Sequence, residues 1–175
     1  KLTLLRIVLI LPFLLVLYLD IPGASYIALA IFIAASLTDL LDGKIARSRN
    51  LVTDFGKFAD PLADKMLVMA AMCYFVEVGL MPGWVVAVVL LREFGVSGLR
   101  LLAVEQGIVI AAAWSGKIKT GVTMVALGIL IIATQPWFPA PQVVAVICWV
   151  LILVTTLYSG IEYFVKNINV FKHCA

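Results

Sequence analysis

Residues 38–65 read TDLLDGKIARSRNLVTDFGKFADPLADK, and the interpretation of the whole chain turns on this stretch. Asp39, Asp42, Asp60 and Asp64 stand in it at offsets of three and four residues, with apolar sequence on either side. On a helix advancing about 100° per residue, Asp39, Asp42, Gly43, Ala46 and Arg47 fall within an arc of about 140°. On the next helix Gly56, Asp60 and Asp64 form an i, i+4, i+8 row along one side. The connection 48–55 is short enough to bring the two rows face to face. A solvated acidic and basic loop has no reason to keep its carboxylates on helical rows while apolar residues occupy the other faces.

The surroundings make those carboxylates costly. Of the 175 residues, 64% are hydrophobic and the mean hydropathy is +1.14, against about 45–50% apolar residues in soluble domains. The composition predicts an all-α, polytopic membrane protein forming a single transmembrane domain over 1–175. A carboxylate at the bilayer centre costs about 2.5 kcal/mol or more, so four close together require a counter-charge.

A span needs about 20 mostly apolar residues, within a range of about 17–25. The sequence predicts six transmembrane helices: 3–19, where Arg6 snorkels to an interface and Pro12 interrupts the interior; 21–37, continuing helically to Arg47; 58–78; 84–104; 118–133; and 143–165. Pro and Gly punctuate the turns at 20–24, 79–83 and 135–142, and none of these contains Lys or Arg. The alternate connections carry Lys44, Arg47, Arg49 and Lys57, and Lys117 and Lys119; Lys1, Arg6, Lys166 and Lys172 sit at the ends. By the positive-inside rule, both termini and the aspartate stretch face the cytoplasm of a bacterial-type cell membrane. Trp84, Trp137, Phe138 and Trp149 lie at or near the uncharged turns, where an aromatic belt belongs, although packing explains Trp149 equally well.

Carboxylates from two helices are hard oxygen donors, suited to Mg²⁺ or Mn²⁺ rather than zinc. Two such ions would clamp a diphosphate between attacking and leaving oxygens, and Arg47 adds a planar fork for phosphate oxygens. Asp54 caps the third helix or sits solvated in the loop. Pro61, directly after Asp60, either kinks that helix or marks its first turn, and in both cases re-aims the Asp60 carboxylate. Gly43, Ala46 and Gly56 lack bulk and leave room for a ligand or for close helix approach.

The pattern D39-x-x-D-G-x-x-A-R47, eight residues, then G56-x-x-x-D60-x-x-x-D64 resembles the signature of the CDP-alcohol phosphotransferases at every position and spacing. The resemblance implies a six-helix membrane enzyme, commonly a homodimer, in which two divalent cations hold the CDP diphosphate. It implies that Asp39, Asp42 and Asp60 are metal ligands and that Asp64 shares in ligation and serves as general base. Gly43, Ala46, Arg47 and Gly56 would shape the cytidine nucleotide site, with Asp39, Asp42 and Asp60 bordering it.

A second charged cluster concerns the acceptor. Arg92, Glu93 and Arg100 interrupt the fourth span, with the two arginines about 80° apart on a helix, and Lys117 and Lys119 open the fifth. Buried cations suggest a pocket for a phosphate-bearing acceptor. Against this, Glu93 is a ready partner for Arg92 or Arg100, and Lys119 can snorkel as a positive-inside residue. The stretches LREFGVSGLR, 112–120 and 2–6 are similar to the branch of the family that makes phosphatidylglycerophosphate. That similarity implies CDP-diacylglycerol as donor and glycerol 3-phosphate as acceptor.

Other functions fit less well. A cation or proton-coupled transporter also uses intramembrane carboxylates, but here they cluster toward one interface with almost nothing polar beyond them. A lipid-binding scaffold has no need of ordered carboxylate rows. Within the enzyme class, inositol phosphate carries the same charge as glycerol 3-phosphate, whereas serine lacks the phosphate. The net charge of +3 suggests no nucleic-acid partner. Cys73, Cys148 and Cys174 have no metal or redox spacing and read as inert, His173 as a solvated side chain, and the first segment as a span rather than a cleaved signal.

Overall fold

In the computed structural model the described residues are 2–19, 21, 23–49, 54–106, 110 and 113–168; side chains are described over 8–19, 21, 23–36, 65–104, 106, 110 and 113–168. They form six helices and no strand: α1 (Leu2–Tyr18), α2 (Ala24–Arg49), α3 (Asp54–Glu77), α4 (Gly83–Glu105), α5 (Trp114–Ala133) and α6 (Pro141–Lys166). Cys174 and His173 lie outside the described residues, and Cys73 and Cys148 are free thiols.

Each helix corresponds to one apolar segment, and the ends follow local chemistry. At the close of α3 the amides of Leu80 and Met81 both donate to the Phe75 carbonyl, at 2.9 and 3.0 Å, while Gly79 takes φ +74°. That is a left-handed turn conformation a side chain would resist. α6 begins with Pro141 in its first turn, where a missing amide costs nothing. Pro12 does not end α1, which remains helical on both sides of it. The proline forfeits one internal bond, to the Val8 carbonyl, and the packed residues Phe13 and Leu17 hold the turn. Pro61 lies inside α3 rather than in its first turn, since that helix already starts at Asp54.

Helix packing joins α1 to α2 and α3, α2 to α5, and α6 to α4 and α5. The main core contains Phe13, Phe32, Met72, Phe75, Val85, Val89, Leu127, Leu130 and Ile152, all at most 2% exposed. A smaller cluster of Val96, Leu99, Ala103 and Tyr163 lies further along α4 and α6. Between Val89 of one and Val96 of the other stand Arg92 and Glu93, about 15 Å of helical rise from the start of α4. The charges therefore occupy the middle of this helix rather than its end.

Large apolar side chains also face outward on several helices. Leu11 and Leu15 on α1, Leu91 and Phe94 on α4, and Val146, Leu151, Val154 and Ile161 on α6 are all exposed. A continuous surface of this kind is unsuited to water, whereas lipid solvates it. Among the described residues, α5 and α6 are long and apolar enough to cross a membrane, and 8–18 and 24–36 are shorter apolar stretches. Trp149 packs edge-to-face on Trp84 with ring centroids 5.8 Å apart, beside the turn at 79–83.

The contrast between the two surfaces is measurable. Phe75→Ala, which empties a fully enclosed site, should lose about 3–5 kcal/mol of stability, whereas Leu151→Ala, with its side chain facing outward, should change the thermal midpoint in detergent little.

Candidate active site

The site is built around Glu93. Its Oε1 accepts from Arg92 Nη1 and from Lys119 Nζ, each at 2.8 Å, and its Oε2 lies 3.5 Å from Lys65 Nζ. Three helices thus meet on one carboxylate: α3 through Lys65, α4 through Arg92 and α5 through Lys119. Burial is what makes this arrangement strong. The side chains of Arg92, Glu93 and Lys119 are 13, 12 and 7% exposed, so solvent screening is slight. Lys65 also donates to Ser97 Oγ and to the Glu93 carbonyl. Among the described residues, three cations thus share the one carboxylate of Glu93.

Beside this cluster a cavity of about 870 Å³ opens between α2, α4, α5 and α6. Arg92, Arg100 and Lys117 line it together, and Leu29, Phe32, Val96, Met124 and Val125 supply apolar wall. Arg100 lies over the ring of Tyr163 at 6.0 Å from the centroid, and its Nε donates to the tyrosine hydroxyl at 3.4 Å. Lys117 stands 4.8 Å over the Trp114 ring. Both are cation–π contacts that hold a positive group without neutralising it. Lys119 is turned the other way, into the Glu93 cluster, and does not line the cavity.

The carboxylate rows adjoin this region along the backbone. α2 is helical without interruption through Asp39, Asp42, Gly43, Ala46 and Arg47, and α3 through Gly56, Asp60 and Asp64; their side chains lie outside those described. Ser36, which lines the cavity, precedes Asp39 by less than one helical turn, or about 4.5 Å of rise. Lys65, bound to Glu93, directly follows Asp64. As a donor, a carboxylate is anionic and offers only oxygen, which fits a hard divalent cation and not a soft one. No group of three or more ligating side chains occurs elsewhere among the described residues.

The sequence suggests one phosphate pocket for Arg92, Arg100, Lys117 and Lys119; the first three line this cavity and Lys119 does not. It offers Glu93 only as a competitor, and no role for Lys65, Ser36, Ser159 or Tyr163. The available signal for the last two was a hydroxyl pair four residues apart in the last apolar span, a spacing that puts both on one helix face.

Residues 1–158 match the family model described as CDP-alcohol phosphatidyltransferase, and the chain belongs to that family of enzymes. Its members depend on divalent cations in general. The chain is 45% identical over 157 residues to the CDP-diacylglycerol–glycerol-3-phosphate 3-phosphatidyltransferase of Bacillus subtilis, covering 87% of this chain and 79% of that one. It is 39% identical over 171 residues to a probable phosphatidylglycerophosphate synthase of Mycobacterium tuberculosis, covering 96% and 80% of the two chains. A CDP-diacylglycerol–glycerol-3-phosphate 3-phosphatidyltransferase of Shigella flexneri is 38% identical over 167 residues, covering 93% and 90%.

Removing the shared carboxylate tests the cluster. Glu93→Gln leaves Arg92, Lys119 and the half-buried Lys65 without their common partner and should lower stability by about 3–5 kcal/mol. The thermal midpoint in detergent measures this, and Lys119→Met in the same background should restore part of the loss, because it removes one of the stranded charges.

Proposed function

We propose that this protein transfers the phosphatidyl group of CDP-diacylglycerol to glycerol 3-phosphate, giving phosphatidylglycerophosphate and CMP. The observation that carries the reading is the basic-lined cavity, with Arg92, Arg100 and Lys117 on its wall and Ser36 leading into the carboxylate row of α2. Two guanidinium groups and an ammonium suit the phosphate of the acceptor. The names of the relatives from Bacillus and Shigella supply the same donor and acceptor.

In this reading Asp64 takes the proton from the primary hydroxyl of glycerol 3-phosphate, whose oxygen attacks the β-phosphorus of CDP-diacylglycerol as CMP leaves. Arg92, Arg100 and Lys117 hold the acceptor phosphate, while Lys119 acts indirectly by fixing Glu93 and, through it, Arg92. Arg47 binds the diphosphate, and Gly43, Ala46 and Gly56 leave room for the cytidine nucleotide. Asp39, Asp42, Asp60 and Asp64 would hold Mg²⁺ or Mn²⁺, two ions in all, whose charge offsets that of the diphosphate. Alignment of the two substrates supplies much of the rate in phosphoryl transfer, and the cluster on Glu93 provides the rigidity that alignment needs.

The chain forms a single domain in which all six helices span the membrane, with the termini and the site toward the cytoplasm. The apolar outward faces and the alternation of Lys- and Arg-bearing connections support this. The acyl chains stay in the bilayer and enter between helices, and the enzyme works as a homodimer, for which chemical cross-linking in membranes is the check.

One assay tests the function. Purified protein with CDP-diacylglycerol and Mg²⁺ or Mn²⁺ should release CMP with glycerol 3-phosphate, and not with inositol phosphate or serine; chelator should abolish release. Equal rates with inositol phosphate would overturn the acceptor assignment. Asp64→Asn should lower kcat by about 10²–10⁴-fold, the usual contribution of a general base. Arg100→Ala should raise the KM for glycerol 3-phosphate about tenfold, as expected on losing a hydrogen bond to a charged group, and leave that for CDP-diacylglycerol near wild type.

A further inference from the structure

The sixth helix looks, from its sequence, like a membrane anchor and nothing more. Its packing against α4 says otherwise. Arg92 Nη2 donates to Ser159 Oγ, and Ser159 is 1% exposed, so the hydroxyl has no competing water. The next residue, Gly160, lies directly against the aliphatic part of the same arginine: a Cβ there would stand 3.2 Å from Arg92 Cγ. Gly116 of α5 faces the guanidinium itself, with a Cβ position 3.6 Å from Nη2. One turn further along α6, Tyr163 is 3% exposed and holds Arg100 by its ring and hydroxyl.

Residues 159 and 163 are neighbours on one helix face, and their partners at 92 and 100 line the same cavity. An unsupported arginine in an apolar site samples many rotamers, and each hydrogen bond that fixes its plane raises the fraction poised to meet an anion. Glu93 fixes one edge of the Arg92 guanidinium from within α4; among the described residues, Ser159 of α6 fixes the other.

We propose that Ser159, Gly160 and Tyr163 are positioning residues: the α6 face sets the placement of the Arg92 and Arg100 guanidinium groups, and so tunes affinity for the acceptor phosphate. This rests on the assignment of the cavity to the acceptor made above. It gives the last helix a part in substrate selection without any contact of Ser159 or Gly160 with the reacting atoms.

The test is steady-state CMP release by the full-length protein, with KM determined separately for glycerol 3-phosphate and CDP-diacylglycerol. Ser159→Ala should raise the acceptor KM about tenfold, in keeping with one hydrogen bond to a charged group, while kcat and the donor KM stay within about twofold. On an Arg92→Ala background the same substitution should add nothing, because its only route to the substrate has been removed. Gly160→Ala keeps the hydroxyl but pushes on Arg92, and should also raise the acceptor KM selectively. Tyr163→Phe should act more weakly, since the 3.4 Å hydroxyl contact is lost and the ring remains. Leu157→Ala, with an outward-facing side chain, is the control.

The outcomes separate the two ideas. If Arg92→Ala leaves the acceptor KM unchanged, the cavity assignment falls and the positioning proposal with it. If Arg92→Ala raises it but Ser159→Ala does not, or multiplies the defect of the double variant, only the positioning proposal is overturned. A fall in thermal midpoint with both KM values rising together would reduce α6 to a structural role and overturn it as well. Should Ser159→Ala not yield folded protein, Gly160→Ala alone and combined with Arg92→Ala is judged by the same criteria.

Discussion

A single carboxylate shared by three cations holds this membrane protein's working region together. Glu93 receives Arg92, Lys119 and Lys65 in surroundings where water does little to weaken the attraction. Each ion alone would be costly to bury, and pairing offsets part of that cost. The consequence is geometric as well as energetic. α3, α4 and α5 are fastened at one level, and Arg92 carries the connection on to Ser159 of α6. An apolar interior supplies packing on either side of that level, from Val89 and its neighbours and from Val96 and Leu99.

A cavity opens next to this cluster. Its wall is mostly apolar, yet it gathers Arg92, Arg100 and Lys117 from two helices, so that it can accept an anion attached to a less polar body. Lys119, only two residues from Lys117, is committed to Glu93 instead. Neighbouring cations on one helix thus have different surroundings, one bound to Glu93 and the other on the cavity wall. The carboxylate rows assigned to the diphosphate lie along the backbone within a turn of this cavity on α2 and beside Lys65 on α3. The chain belongs to the CDP-alcohol phosphatidyltransferases, and the function proposed for it uses both charged regions.

Much of this was legible in the order of residues. Apolar runs of membrane length, broken by Pro-Gly turns without cations, marked all six helices, and the ends of α1, α4, α5 and α6 fall within a few residues of expectation. A heavily apolar chain leaves few other ways to satisfy its backbone. Helical spacing also marked the aspartates, because i, i+3 and i, i+4 relations are local. What local spacing misjudged was the effect of Pro12, where packing of Phe13 and Leu17 outweighs one lost hydrogen bond.

The sequence by itself determined that the chain is helical, suited to lipid and supplied with two charged regions, since these follow from composition and from distances of a few residues. Only the tertiary structure decided which cation answers Glu93, which ones line the cavity, and that α6 braces the arginines of α4. Those choices join residues 26 to 67 positions apart. A side chain's partner over such a span depends on helix rotation and approach distance, and these are set by packing of the whole bundle rather than by any stretch of it.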